Sequence, residues 1–245
     1  MIAAIASALV PTAFVVAWIV EARQPARAYP TVPGWQRLGA IFFVVIVIVG
    51  SATPMLLAHT FVAEPRLLRL ASLGFWALPL GILATSAVHY AWHRASHHFD
   101  FLWRVSHQLH HSPRRVDIPG AFYAHPVEAI AKSALAFLVT ITVLGLDPEV
   151  ASTTSSLLAL LSVFQHWNIR TPRWLGWFVP RPEMHAMHHE ANVHGRNYGD
   201  LPLWDMLFGT YENPATFEGN VGFAPVASGR LRDMLLMRDV NRSSP

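Results

Sequence analysis

The 245-residue sequence contains no cysteine. That absence excludes disulfides, thiolate zinc sites, thiolate haem and cysteine-ligated iron–sulfur clusters. Charge is also scarce. Only 13% of the residues are Asp, Glu, Lys or Arg, about half the usual share for a soluble domain. Lysine is nearly missing, with Lys132 alone against 17 arginines. The net charge of +3 comes without any Lys/Arg run, so no nucleic-acid partner is expected. Hydrophobic residues make up 53% of the chain and the mean hydropathy is +0.33, which argues against both a soluble enzyme and disorder. The length allows one domain with at most a small appendage. Arginine and alanine usage points to a GC-rich bacterial genome.

Five stretches have about the 20 apolar residues that a membrane-crossing helix needs. They run from Ile2 to Val20, Leu38 to Ala58, Leu67 to Val88, Val127 to Leu146 and Val150 to Trp167. The first lacks a basic leader and reads as an uncleaved anchor. The fourth carries Lys132 near its end, within reach of the interface. The fifth opens on Asp147-Pro148, an N-cap followed by Pro at the first helical position. Its first half is rich in Ser and Thr, which pack well between helices. The expected fold is an all-α integral membrane protein of about five spans.

Five spans place 16 of the 18 Lys and Arg residues on one side, with Arg66 and Arg69 on the other. The positive-inside rule makes the first side cytoplasmic. In a bacterium this is the inner membrane, with the N-terminus outward. Trp92, Trp103, Trp167, Trp174 and Trp177 flank the span ends on the cytoplasmic side, as an aromatic belt does. Residues 171–183 read as a segment lying on the membrane surface. The expected organisation is an N-terminal hairpin over 1–66, a catalytic unit over 67–213 and a peripheral tail over 214–245.

Histidine is abundant where cysteine is absent. Of the 14 histidines, 13 lie between positions 89 and 194. His89, His93 and His97 repeat at four-residue spacing. His107, His110 and His111 form an HxxHH box, and His185, His188 and His189 form another. Spacings of three and four put each set on one helix face. His166 stands where the fifth span ends. The topology brings all of these to one membrane surface. Neutral imidazole binds Fe, Zn, Cu and Ni, and so many converging nitrogens exceed the needs of one ion. Two metals are therefore expected, in a site without the Glu pairs of soluble di-iron bundles. A lone histidine is usually a packed, hydrogen-bonded residue, and His59 on the opposite side reads that way. His98 and His194 are balanced between the two readings. His125 in YAHPVE is a candidate for supporting a ligand from behind. No GxSxG elbow, Walker loop or HExxH motif is present.

At these residues the sequence resembles the fatty acid hydroxylase/sterol desaturase superfamily of membrane di-iron enzymes. The run HYAWHRASHHFDFLWRVSHQLHHS followed by YAHPVE is similar to sterol C4-methyl oxidases. The third box and NYGDLPLWDMLFGTYENP resemble bacterial sterol desaturase family members. The likeness covers about residues 67–213. It implies a cytosol-facing centre of two iron ions, with zinc able to substitute in purified protein, and O2-dependent hydroxylation or desaturation of a lipid C–H bond. The implied ligands are His93 and His97, then His107, His110 and His111, then His185, His188 and His189, with His166 as an extra ligand. His89 is also present in sterol-oxidase-like members. Some hydroxylases carry a further histidine four residues after the lone one, where this chain has Arg170. No fused cytochrome b5 domain is seen, so a separate electron donor is implied, either a ferredoxin or a cytochrome b5-like protein with its reductase. Asn197, Asp200 and Asp205, after the third box, are candidates to orient ligand imidazoles. The substrate is expected to be a fatty acyl, sterol-like or carotenoid lipid. The competing reading is a histidine-rich membrane protein that binds or transports metal. Transporters set their ligands near mid-membrane, whereas these histidines gather at one surface.

Overall fold

A computed structural model describes residues 1–60 and 67–241. Arg66, Arg242 and the expected boundary at residue 66 lie outside them. The described residues are helical and irregular, with one isolated β-bridge between Glu190 and Val221. In chain order the helices are α1 (Ile2–Arg23), α2 (Trp35–Thr60), α3 (Leu78–His98), α4 (Asp100–Leu102), α5 (Gln108–His111), α6 (Pro126–Phe137), α7 (Pro148–His166), α8 (Pro182–His188), α9 (Pro202–Phe208), α10 (Pro225–Ser228) and α11 (Leu231–Leu235). A 3₁₀ stretch, Leu70–Ala77, leads into α3. A π-helical turn, Trp103–His107, joins α4 to α5, and another, Leu138–Val143, extends α6.

Among the described residues four helical stretches are long and apolar enough to cross a membrane: Ile2–Arg23, Trp35–Thr60, Leu70–His98 and Pro126–Val143. The expected fifth, α7, forms a 19-residue helix but is less apolar. Its Thr153, Thr154 and Ser156 are buried, because α1 and α3 flank it and shelter them. The predicted start of α7 is as drawn: Asp147 Oδ1 accepts the Glu149 N–H at 2.7 Å, and Pro148 opens the helix.

The long helices lie in the order α1, α7, α3, α6, α2. Small residues set two of the contacts. A Cβ on Gly81 of α3 would stand 2.7 Å from Thr154 Oγ1 of α7, and one on Gly39 of α2 would stand 2.5 Å from Pro119. The α1 end is tied down by its buried Glu21, which accepts the N–H groups of Ile118 (3.1 Å) and Asn168 (2.9 Å). As a result α3 and α7 run parallel and end together, and the 100–111 segment and α8 close over those ends.

The tail beyond Pro214, expected to be peripheral, contributes to the core. Met234 is fully buried and Val240 nearly so, in one cluster with Trp35, Phe42, Leu109 and Tyr123. The Gln108 amide also donates to the Arg238 carbonyl at 2.8 Å. The tail therefore braces α5, which carries the second histidine box.

Candidate metal centre

Nine histidines converge in two neighbouring groups. Ligand-capable atoms of His93, His97, His107, His111 and His188 lie within 4.8 Å of one another, as do those of His110, His166, His185 and His189. Each HxxHH box is shared. His107 and His111 enter the first group while His110 enters the second. His185 and His189 enter the second while His188 enters the first. On a helix, positions i and i+4 differ by about 40° and position i+3 falls about 60° to the other side. One box can therefore face two sites.

The groups fit metal ions on three observations. First, the outer nitrogens are committed. Nδ1 of His93 donates to the Tyr198 carbonyl (2.7 Å), that of His188 to the Arg196 carbonyl (2.7 Å) and that of His166 to the Ser162 carbonyl (2.8 Å). His110 Nδ1 faces the Tyr123 carbonyl at 3.3 Å, and His107 Nδ1 meets the Glu128 carboxylate at 2.9 Å. These partners assign the proton to Nδ1 and leave Nε2 as a lone pair pointing inward. Second, those lone pairs crowd without donors to match them. His93 Nε2 and both ring nitrogens of His97 are buried without a partner.

Third, the spacing suits coordination. Nε2 of His111 lies 3.0 Å from that of His107 and 3.1 Å from that of His188. In the second group, Nε2 of His185 lies 3.0 Å from His166 and 3.1 Å from His189. Nitrogens about 2.1 Å from one ion are about 3.0 Å apart at right angles and about 3.4 Å apart at the tetrahedral angle. The first group offers five candidate donors and the second four.

Burial favours the neutral, ligand-ready form of most of these imidazoles. It pushes His110, His111, His185 and His189 well below the ordinary histidine value, and neighbouring histidines push the same way. His188 is brought down to about 3 by burial, against the opposing bond to the Arg196 carbonyl.

A family model described as fatty acid hydroxylase matches residues 78–210, more than half of the chain, and that stretch contains all nine histidines. The chain belongs to the fatty acid hydroxylase family. It is 30% identical over 182 residues to ornithine lipid hydroxylase OlsE of Rhizobium tropici, covering 68% of this chain and 52% of the relative. It is 26% identical over 139 residues to a very-long-chain aldehyde decarbonylase of Oryza sativa, covering 54% and 53%. It is 28% identical over 129 residues to sphinganine C4-monooxygenase 1 of Arabidopsis thaliana, covering 50% and 48%. The chain thus spans about half the length of the curated relatives it matches. No solved structure matches it.

Within this family member, the segment after the third box is a rack for histidines. The carbonyls of Arg196 and Tyr198 hold His188 and His93, and the Asp200 carboxylate holds His89. Alternate residues of one short loop thus serve histidines from two helices. Asp205 fixes the loop: it accepts the N–H groups of Tyr198 (2.7 Å) and Gly199 (2.8 Å) and the Thr210 hydroxyl (2.7 Å). Asn197 has a positive φ of 55°, and its side chain bonds the carbonyls of Met184 and Glu212 and the Glu212 N–H.

His89 is not brought to either group. Its Nδ1 donates to Asp200 Oδ2 at 2.8 Å, and its Nε2 faces the Lys132 carbonyl at 3.2 Å. Both ring nitrogens are therefore engaged away from the centre. Burial pushes the Asp200 carboxyl up, but Lys132 and His89 outweigh it and hold it at about 2. His125 also stands apart from both groups. It caps α6 by accepting the Val127 N–H at 3.2 Å, and its Nε2 meets the Leu235 carbonyl. Glu128, three residues on, is the one that reaches His107.

His59 lies exposed at the far end of α2 and His98 lies exposed at the end of α3. His194 packs against Trp103 and His97 without joining a group. Arg170 is exposed. Trp103 is not simply a belt residue, since its ring lies 5.3 Å from His97 and 5.4 Å from His111.

Proposed function

We propose that this chain hydroxylates a C–H bond of a membrane lipid, using O2 and two iron ions, one in each histidine group. The observation that carries this reading is the division of nine histidines into two adjoining groups with inward-facing Nε2 atoms. Iron in these groups would supply the redox chemistry that O2 activation requires, which no side chain of the site can supply. The balance is one lipid C–H, one O2, two electrons and two protons, giving one C–OH and one water.

The chain's own residues do the rest. The Nδ1 bonds of His93, His107, His110, His166 and His188 lock ring orientation and tautomer. Asp205 and Asn197 hold the loop that provides two of those acceptors. Burial of both groups limits access by bulk water. The histidines sit at the ends of α3 and α7 rather than at their middles, which favours an oxygenase over a metal transporter.

The similarity to an ornithine lipid hydroxylase favours an acyl lipid of a bacterial membrane over a sterol or carotenoid. Residues 67–213 would form the catalytic unit, after a membrane hairpin over 1–66 and before the tail over 214–245. The site would face the cytoplasm from the inner membrane. Electrons would come from a separate carrier, a ferredoxin or a cytochrome b5-like protein with its reductase.

The test is to express the chain in a bacterium, profile its lipids by mass spectrometry, and measure metal in purified protein beside a His110→Ala variant. The expected result is about two irons per chain and lipids that gain one oxygen, both diminished in the variant. Lipids that lose two hydrogens instead would make the enzyme a desaturase with the same centre. Unchanged lipids in the presence of iron-loaded protein, O2 and a reductant would overturn the reading.

A further inference from the structure

Among the described residues, two acids are bonded to buried imidazoles. Asp200 serves His89, outside both groups. Glu128 serves His107, inside the first. Both Glu128 oxygens lie close to His107 Nδ1, at 2.9 and 3.0 Å, and the Glu128 side chain is 10% exposed. Every other Nδ1 anchor of the groups described above is a main-chain carbonyl. Among the described residues Glu128 is therefore the one carboxylate hydrogen-bonded to a histidine of either group.

The start of α6 explains how it gets there. His125 is the N-cap and Glu128 is the third helical residue. An acid at that position usually turns back to the cap N–H. Here the Glu128 N–H donates to the His125 carbonyl at 2.9 Å, while its side chain leaves the helix for His107. The first turn of a helix also favours negative charge.

We infer that Glu128 is a positioning residue that makes the two metal groups unequal. Through His107 it sets a full negative charge behind the first group, with no counterpart behind the second. This rests on the two-metal reading above. A carboxylate behind a ligating imidazole fixes its orientation and strengthens it as a ligand, and losing such a partner typically costs 10–100-fold in metal affinity. The first group therefore holds its ion more tightly than imidazole alone would, and stabilises the oxidised form of that ion.

Glu128→Gln isolates the charge, because the amide oxygen can still accept the Nδ1 proton. Wild type and variant are loaded with Fe(II), titrated with a chelator and followed by redox potentiometry. The expected result is that one of the two ions leaves the variant at about 10–100-fold higher free metal than in wild type. The other ion is unchanged, and the potential of the weakened site rises. Glu128→Asp, which keeps the charge, should lie nearer wild type in potential. His166→Ala strips the second group, and adding Glu128→Gln to it should shift the remaining ion by the same factor.

Coincident chelator curves and potentials for wild type and Glu128→Gln overturn the inference and leave the two-metal reading standing. Loss of both ions together in Glu128→Gln, with no shift in the His166→Ala background, also overturns it. A wild-type chain that binds no metal overturns both.

Discussion

The ring of His111 stacks on the ring of His189, with centroids 4.1 Å apart and planes inclined by 17°. The two residues belong to different boxes and to different groups. Their contact is the wall the two groups share. The boxes are interleaved across that wall, each lending two histidines to its near group and one to the far group.

Interleaving predicts which variants behave alike. His188→Ala should weaken the same ion as His107→Ala, although 81 positions separate them. It should differ from its own box-mate, His185→Ala, which should match His110→Ala. Metal titration of the four single variants checks this. Grouping by box rather than by site would count against the shared arrangement.

Asp205 is placed to matter without touching a ligand. Asp205→Ala removes the acceptor of two backbone N–H groups and one hydroxyl, a loss of about 3 kcal/mol or more for bonds to a buried charged group. The loop should relax, releasing the Tyr198 carbonyl from His93. Thermal unfolding should show the stability loss, and chelator titration should show weaker binding at the first group. Asp205→Asn, which keeps part of the bonding, should show both effects less.

Arg181, one of the 16 basic residues expected on the cytoplasmic side, is fully buried. Its guanidinium bonds Thr171, Asn213 and the carbonyls of Pro214 and Ala215, and pairs with Glu183 at 3.1 Å. Arg181→Ala should destabilise the chain by about 3–5 kcal/mol, because it removes a fully buried guanidinium with all its bonds and leaves the part-buried Glu183 with no opposite charge. Arg181→Lys should recover only part, since an ammonium lacks the guanidinium fork. Denaturation in detergent measures both.

Acid should unfold the metal-free protein. His188 titrates near 3 when folded and near 6.5 when unfolded. Between those values the unfolded chain takes up a proton that the folded chain excludes. Its contribution to stability is thus present above about pH 6.5 and drains as pH falls toward about 3. His110, His111, His185 and His189 are shifted in the same direction and steepen the loss. Bound metal should move the transition to lower pH, since it occupies the same lone pairs. Unfolding midpoints of apo and loaded protein across this range check the sign.

Much of this was legible in one sequence because the signals are local. Apolar runs marked the spans, Asp147-Pro148 marked the start of α7, and spacings of three and four marked the histidine faces. Each depends on residues within a turn or two, where helix geometry alone fixes the outcome. The sequence likewise determined the donor set: without cysteine, any metal must be held by imidazole and carboxylate.

What only the tertiary structure decided is how those donors are divided and supported. His89 continues the spacing of His93 and His97, yet the 196–200 loop supplies Asp200 and turns it away from the centre. Glu128 carries no local mark beyond its place in a helix cap, and it finds His107 because α6 packs beside the 100–111 segment. The α7 helix could be drawn as a fifth apolar span, but its polar first half is accommodated by the neighbours that bury it. Periodicity chooses the face of a helix. Which site that face serves is settled by side chains meeting across a hundred residues of chain.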